Sequence, residues 1–165
     1  MRSHQINSIY KLFEYHVWAN AQLIELCSRL TDEQLAIEVE GCRGRIQPTL
    51  VHLISSEGFL IQLLKGTPPW PHDLDWETLS MTELLEKAQL SGQQLTAMAG
   101  QADLETRREI EVEGKQTHYF DWIVLLQALH HGIEHRTQIK ILLTQLGVQH
   151  PDLAAWDYLS SLPSV

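Results

Sequence analysis

The segment from about residue 118 to residue 146 carries the longest helical pattern in this sequence, and two histidines lie within it. From Trp122 onward, apolar residues recur with the 3.6-residue period of an amphipathic helix. His131 and His135 are four residues apart, so their imidazoles lie on one helical face. The same face carries the apolar residues Val124, Ala128, Ile139, Leu142 and Leu146. Because buried imidazoles need polar partners or a metal ion, the pattern predicts an inward-facing pair of candidate metal ligands.

Three other segments also show helical periodicity. Apolar residues follow one stripe through the first of them, and only Asn20 interrupts that stripe. The second ends at Lys65, just before Gly66, and the third opens with a capping box formed by Ser80 and Glu83. Between the third and fourth helices, the alternating run 110–114 is predicted to be extended. The predicted helices are 4–29, 49–65, 80–100 and 118–146, with a short one at about 31–35.

Four long helices, two of them joined by long connections, predict an all-α fold of the four-helix-bundle type. The chain of 165 residues fits one domain, so we expect residues 1–165 to form a single helical domain. Hydrophobic residues make up 44% of the chain and charged residues 20%, which is typical of a soluble globular protein.

Charge and cysteine content bound the partners and the compartment. The net charge of -9 and the scattered basic residues argue against a nucleic-acid partner. No apolar run approaches the length of a membrane span, and the N-terminus lacks an apolar signal core. Cys27 and Cys42 form neither a CxxC motif nor a disulfide framework. We therefore expect a soluble cytoplasmic protein with neither a membrane nor a nucleic acid as partner.

A useful metal site needs a third ligand, and His52 on the second predicted helix is the best candidate. The helical wheel permits His52 to point inward but does not establish it. Three imidazoles form a nitrogen-only donor set that suits Zn²⁺, Ni²⁺, Co²⁺ or Fe²⁺. Three protein ligands leave at least one coordination position for water or substrate, which is typical of catalytic ions.

The simpler interpretation is that each of these residues is an ordinary core or surface histidine. The remaining histidines are poorer candidates: His16 lies one residue off the apolar stripe, and His130 lies about 100° around the helix from His131. His4, His72, His118 and His150 fall at ends or in loops. The segment 131–135 also matches the H-x-x-E-H protease signature, but no glutamate follows Glu134 to complete that site.

Glu57 interrupts the apolar stripe of the second helix, and three interpretations are open. It can hold the outer nitrogen of a ligand histidine, pair with Arg136, or lie where the bundle opens to water. Cys27 lies on the apolar stripe of the first helix, which favours a small buried side chain over a nucleophile. Ser56 either reaches a metal-bound water or only fits a crowded helix contact.

Three stretches of the chain together resemble the DinB-like (DNA-damage-inducible, YfiT-like) family of metal-dependent enzymes. They are Tyr15–Asn20 (YHVWAN), Thr49–Leu53 (TLVHL) and His131–Ile139 (HGIEHRTQI). The resemblance implies an up-down-down-up four-helix bundle, often a homodimer, with a divalent metal held by His52, His131 and His135. Arg136 and Gln138 match the third motif without a settled role, and Thr137 stands where many members have glycine.

The resemblance also implies a function. Some relatives are thiol S-transferases that use bacillithiol, mycothiol or glutathione, so a small-molecule substrate and a Zn, Ni or Fe cofactor are expected. A metal-dependent hydrolase and a non-catalytic metal- or ligand-binding stress-response module are the alternatives. We expect specificity to come from the loops 66–79 and 101–117, with Trp70 and Trp76 as candidates to line the mouth of the site.

Overall fold

The computed structural model describes residues 3–38, 44–65, 79–112 and 115–163, and within these ranges the chain is predominantly helical. The helices are α1 (Ser3–Cys27), α2 (Asp32–Leu35), α3 (Ile46–Lys65), α4 (Met81–Gln101), α5 (Asp121–Gln145) and α6 (Ala155–Ser161). Two strands, β1 (Arg107–Val112) and β2 (Lys115–Phe120), form an antiparallel hairpin. The sequence analysis expected an extended run at 110–114, and β1 includes the first part of it, but the pairing with β2 was not predicted. The helical class and the four long helices agree with the sequence analysis. None of the described helices is both long enough and apolar enough to cross a membrane.

Two helix starts follow from local chemistry. The Ser80 side chain accepts a hydrogen bond from the Glu83 amide, and the Glu83 carboxylate accepts one from the Ser80 amide, as the capping box predicted. Helix α3 begins at Ile46, three residues before its predicted start. Pro48 lies in its first turn, where amides have no partner within the helix and proline is therefore tolerated.

The fourth long helix begins at Asp121 and not at 118, because residues 118–120 belong to β2. The hairpin is fixed to the helices by side chains. Arg108 donates to both carboxylate oxygens of Asp121 at 2.5 and 2.9 Å, and the acidic residue at the helix N-terminus is itself favourable. The Tyr119 hydroxyl donates to the carbonyl of Leu63 near the end of α3 at 2.9 Å.

The apolar core consists of two clusters, and each contains side chains from all four long helices. The first cluster includes Leu23, Ile24, Leu50, Leu53, Ile54, Leu84, Ala88, Ile139, Leu142 and Leu143. The second includes Phe13, Leu60, Ile61, Leu64, Leu95, Ala99, Val124, Leu125 and Ala128. Along every long helix, buried polar residues lie between the part that joins one cluster and the part that joins the other.

Candidate metal centre

Three histidines meet between α3 and α5. His52, His131 and His135 each offer a ring nitrogen, and these three atoms lie within 4.8 Å of one another. The ring centroids are 5.0 Å apart for His52 and His131, 4.9 Å for His52 and His135, and 4.3 Å for His131 and His135. The structure thus brings together all three residues singled out in the sequence, including His52, whose orientation the helical wheel left undecided.

The donor set fits a divalent transition metal. Zinc binds imidazole nitrogen at about 2.0–2.1 Å, so the donors around a tetrahedral ion are separated by about 3.3 Å. The three nitrogens lie within 4.8 Å of one another, a spread that adjustment of the side chains can close to that separation, and the rings are tilted steeply against one another, by 66° to 82°. His135 is buried, whereas His52 and His131 are partly exposed.

Gln138 orients the buried ligand candidate. The Nδ1 atom of His135 lies 2.9 Å from Oε1 of Gln138, one helical turn further along α5. A carboxamide oxygen only accepts hydrogen bonds, so Nδ1 carries the ring proton and Nε2 keeps its lone pair. This is the arrangement by which outer residues fix the tautomer of a metal-binding histidine. Gln138 therefore has a defined contact with the centre, which the sequence motif alone did not give.

A cavity of about 680 Å³ adjoins the centre at His52. Its wall comes from α2 and from the segment 45–55, with both apolar and polar side chains. The lining residues are Asp32, Leu35, Ala36, Arg45, Gln47, Pro48, Val51, His52 and Ser55. The described part of 101–117, which we expected to contribute, does not line this cavity. Trp70 and Trp76, together with the rest of 66–78, lie outside the described residues.

The other candidate ligands and nucleophiles have different surroundings. His130 is exposed and lies 3.4 Å from Glu134, so both are surface residues. His118 is exposed on β2, and His150 is bonded to the Thr144 hydroxyl at 3.0 Å. Burial raises the pKa of the Cys27 thiol to about 12, which agrees with a small core side chain and not a nucleophile. His72 and Cys42 lie outside the described residues, as does the side chain of His4.

Glu57 is buried inside the protein, so the interpretation that it faces water is wrong. Its Oε1 accepts a hydrogen bond from Nε2 of His16 at 2.7 Å and one from Nδ2 of Asn20 at 2.8 Å. The Ser91 hydroxyl donates to Oε2. Each of these groups acts as a donor, which is the environment of an ionised carboxylate. The carboxylate thus joins α3 to both α1 and α4.

Arg136 supplies the opposite charge to this group of residues. It donates to Oδ1 of Asn20 at 2.6 Å, and its Nη1 lies 3.3 Å from Nδ1 of His16. Burial lowers the pKa of this guanidinium below its usual value, but arginine keeps its charge in proteins. Glu57 and Arg136 are therefore linked through His16 and Asn20. Removing one partner of a buried charged pair costs about 3–5 kcal/mol, because the remaining charge stays uncompensated.

We call His16, Asn20, Glu57, Ser91 and Arg136 the polar layer, since it lies between the two apolar clusters. Sequence reasoning missed His16 as a member, because it placed this residue just off the apolar stripe; in the structure His16 is fully buried. A signal was present. Asn20 and Glu57 each interrupt an apolar stripe, on different helices. Because buried polar groups are almost always hydrogen-bonded, two such residues are candidates for a hydrogen bond to each other.

Gly132 lies between the two histidines of α5 and allows His16 to approach that helix. A Cβ atom at Gly132 would lie 2.9 Å from Nδ1 of His16 and 2.8 Å from Nη1 of Arg136, and even closer to Cε1 of His16. The ring and the guanidinium are held by the hydrogen bonds of the polar layer, so neither can move aside freely. Only glycine fits at this position.

Comparison with known proteins identifies the family to which this chain belongs. Residues 2–162 match the sequence model of the DinB family, so the chain belongs to the DinB family. A solved crystal structure of a DinB-like protein from Bacillus cereus ATCC 10987 is similar, with a TM-score of 0.64 over 88% of this chain and 95% of that chain. Its sequence identity of 16% limits this likeness to the fold. None of the curated proteins is detectably similar to this chain.

We predict that Gln138→Leu weakens metal binding on the order of 10- to 100-fold, because the ring of His135 loses the acceptor that fixes its tautomer. Gln138→Glu keeps an acceptor at the same place and should bind metal at least as well as the unaltered protein. The measurement is competition with a chromophoric zinc chelator. Equal affinity for the leucine and glutamate variants would contradict the role given to Gln138.

We predict that Gly132→Ala destabilises the protein by about 1–3 kcal/mol through overpacking, although alanine normally favours a helix by about 1 kcal/mol. Gly100→Ala in α4 is the control, since its new Cβ would make only an ordinary contact of 3.4 Å with Tyr10. Urea unfolding measures both. If Gly132→Ala is as stable as the control, the close approach of His16 is not a constraint.

Proposed function

We propose that the protein is a divalent-metal-dependent enzyme that transfers a small thiol to an electrophile, with His52, His131 and His135 as the metal ligands. The single observation that carries this proposal is the convergence of three ring nitrogens within 4.8 Å beside a cavity. Three nitrogen ligands leave a coordination position for a substrate atom, as in catalytic sites. Membership of the DinB family supports the same proposal.

The residues around the site have two roles: to orient the ligand histidines and to leave room for a substrate. His52 lines the cavity, and Gln138 holds the ring of His135 in one orientation. A bound divalent ion would supply Lewis-acid chemistry, lowering the pKa of a thiol or of water at the open position. In the transfer, the thiol sulfur bonds to carbon of the electrophile, the leaving group departs with its electron pair, and the thiol proton passes to solvent.

The cavity supports a small organic substrate. Its volume of about 680 Å³ is in the range of pockets that enclose small molecules. Leu35, Pro48 and Val51 form apolar wall, and Arg45 adds a cationic group that suits a substrate carboxylate. Arg45 is about half exposed and lies 3.5 Å from Glu38, so its ion pair with Glu38 is open to competition by a substrate.

We also propose the remaining features that the sequence suggested. Residues of the second apolar cluster precede those of the first along α1 and α5 and follow them along α3 and α4, which supports an up-down-down-up bundle. A homodimer is supported by five exposed large apolar side chains on α5: Trp122, Ile123, Leu126, Ile133 and Ile141. A single domain in the cytoplasm completes the proposal, and the free thiol of Cys27 agrees with it.

We expect the purified protein to bind one divalent transition metal per chain, and the His131→Ala, His135→Ala double variant to bind none, since two of three ligands are gone. Elemental analysis measures the stoichiometry. His130→Ala is the matched control, because His130 is exposed, adjoins the site in sequence and is not one of the three clustered histidines. Stoichiometric metal in the double variant would exclude the proposed ligands.

We expect at least one pair of a low-molecular-weight thiol and an electrophile to react faster with the metal-loaded protein than with its His131→Ala variant. Lewis-acid assistance is worth several kcal/mol, so the difference should be on the order of 100-fold or more. The assay is a panel of thiols and electrophiles with Zn²⁺, Ni²⁺, Fe²⁺ and Mn²⁺. If no pair exceeds the variant, transfer is excluded for that panel and a metal-binding module becomes the better description.

A further inference from the structure

We propose that the polar layer positions the three-histidine centre, because it fixes the rotation and the axial register of α3 relative to α5. The inference rests on the proposed metal-dependent function, and it assigns to His16, Asn20, Glu57, Ser91 and Arg136 a role in that function. These residues are positioning residues, since none of them belongs to the cluster of ring nitrogens.

The polar layer and the centre lie on the same two helices, a short distance apart. Glu57 follows His52 by five residues on α3, which is about 7.5 Å along the helix axis. On α5, Arg136 directly follows His135, and Gly132 directly follows His131. A helix is stiff over one or two turns, so a rotation or shift at the polar layer is transmitted to the ligand candidates.

A metal centre tolerates little movement of its ligands. Its bond lengths are held to about 0.2 Å, whereas packed helices at an interface shift by about 1–2 Å between alternative arrangements. The apolar contacts between α3 and α5 are non-directional and allow such shifts. Hydrogen bonds are directional, and a buried polar network with all partners in place satisfies only one register.

Helix α1 is hydrogen-bonded to both helices that carry the candidate ligands. His16 and Asn20 are four residues apart on α1, and each bonds to Glu57 of α3 and lies against Arg136 of α5. His16 donates from Nε2 to the carboxylate and accepts at Nδ1 from the guanidinium, so its two nitrogens define the distance between α3 and α5. Ser91 of α4 completes the carboxylate from the other side.

A network that only stabilised the fold would have a different signature. In that case its loss would lower the free energy of unfolding but leave the metal affinity of the folded protein unchanged. Loss of a positioning network would also lower the metal affinity, even at temperatures where the variant is fully folded. The two roles are therefore separated by measuring affinity and stability on the same variants.

The experiment uses the full chain with His16→Leu, which removes both ring nitrogens while filling the space, and His16→Gln, which restores a donor toward Glu57. Leu95→Ala is the matched control, because it removes a fully buried side chain of the second cluster outside the polar layer. Circular dichroism confirms folding, and Co²⁺ affinity and the Co²⁺ absorption spectrum report on the centre.

We expect His16→Leu to bind Co²⁺ on the order of 10- to 100-fold more weakly, as for outer residues of metal sites, with an altered spectrum. His16→Gln should recover most of the affinity, and Leu95→Ala should bind Co²⁺ normally despite lower stability. If folded His16→Leu binds like the unaltered protein, or if Leu95→Ala weakens binding equally, the positioning role is overturned.

Two further outcomes are distinguishable. If His16→Leu does not fold, Ser91→Ala replaces it, since it removes one donor at the edge of the layer; a several-fold loss of affinity supports the inference, and unchanged affinity overturns it. If the unaltered protein itself binds no Co²⁺, the metal-dependent function is overturned together with this inference. Equal binding by all variants overturns the positioning role alone.

Discussion

The buried carboxylate of Glu57 is the constraint around which the interior is arranged. An ionised carboxylate without partners cannot be kept in an apolar core, so each of its oxygens must receive hydrogen bonds. His16 and Asn20 come from α1 and Ser91 from α4, and Arg136 supplies the compensating charge from α5. One acidic side chain therefore sets demands on all four long helices at a single level of the core.

The composition of the surrounding core follows from that demand. Apolar clusters lie on both sides of the polar layer and exclude water from it, which strengthens the hydrogen bonds inside. Close approach of the helices requires small residues beside the layer. Gly132 admits the ring of His16, and Gly92 on α4 admits Val17 of α1 in the same way. The candidate metal centre occupies the adjoining level, between α3 and α5, with a cavity at His52.

Much of this could be predicted from periodicity. The four long helices, the capping box at Ser80 and the inward pair His131 and His135 are local properties, because a helix defines which of its residues share a face. The start of α5 that periodicity predicts lies three residues before the observed one, since the end of β2 continues the apolar pattern and only the pairing with β1 identifies it as a strand. Asn20 and Glu57 are visible in the sequence as interruptions of apolar stripes, but the hydrogen bonds of Glu57 to His16 and Asn20 are not predicted by periodicity.

The sequence by itself determined the helical class, the family, and the presence of two histidines on one inward face. Only the tertiary structure decided that His52 joins them, that Glu57 is buried against His16 and Asn20, and that the cavity wall is formed by α2 and the first half of α3. The physical reason is range. Helical periodicity depends on residues only a few positions apart, whereas these contacts join residues 37 to 120 positions apart. The geometry of such contacts depends on how whole helices pack against one another.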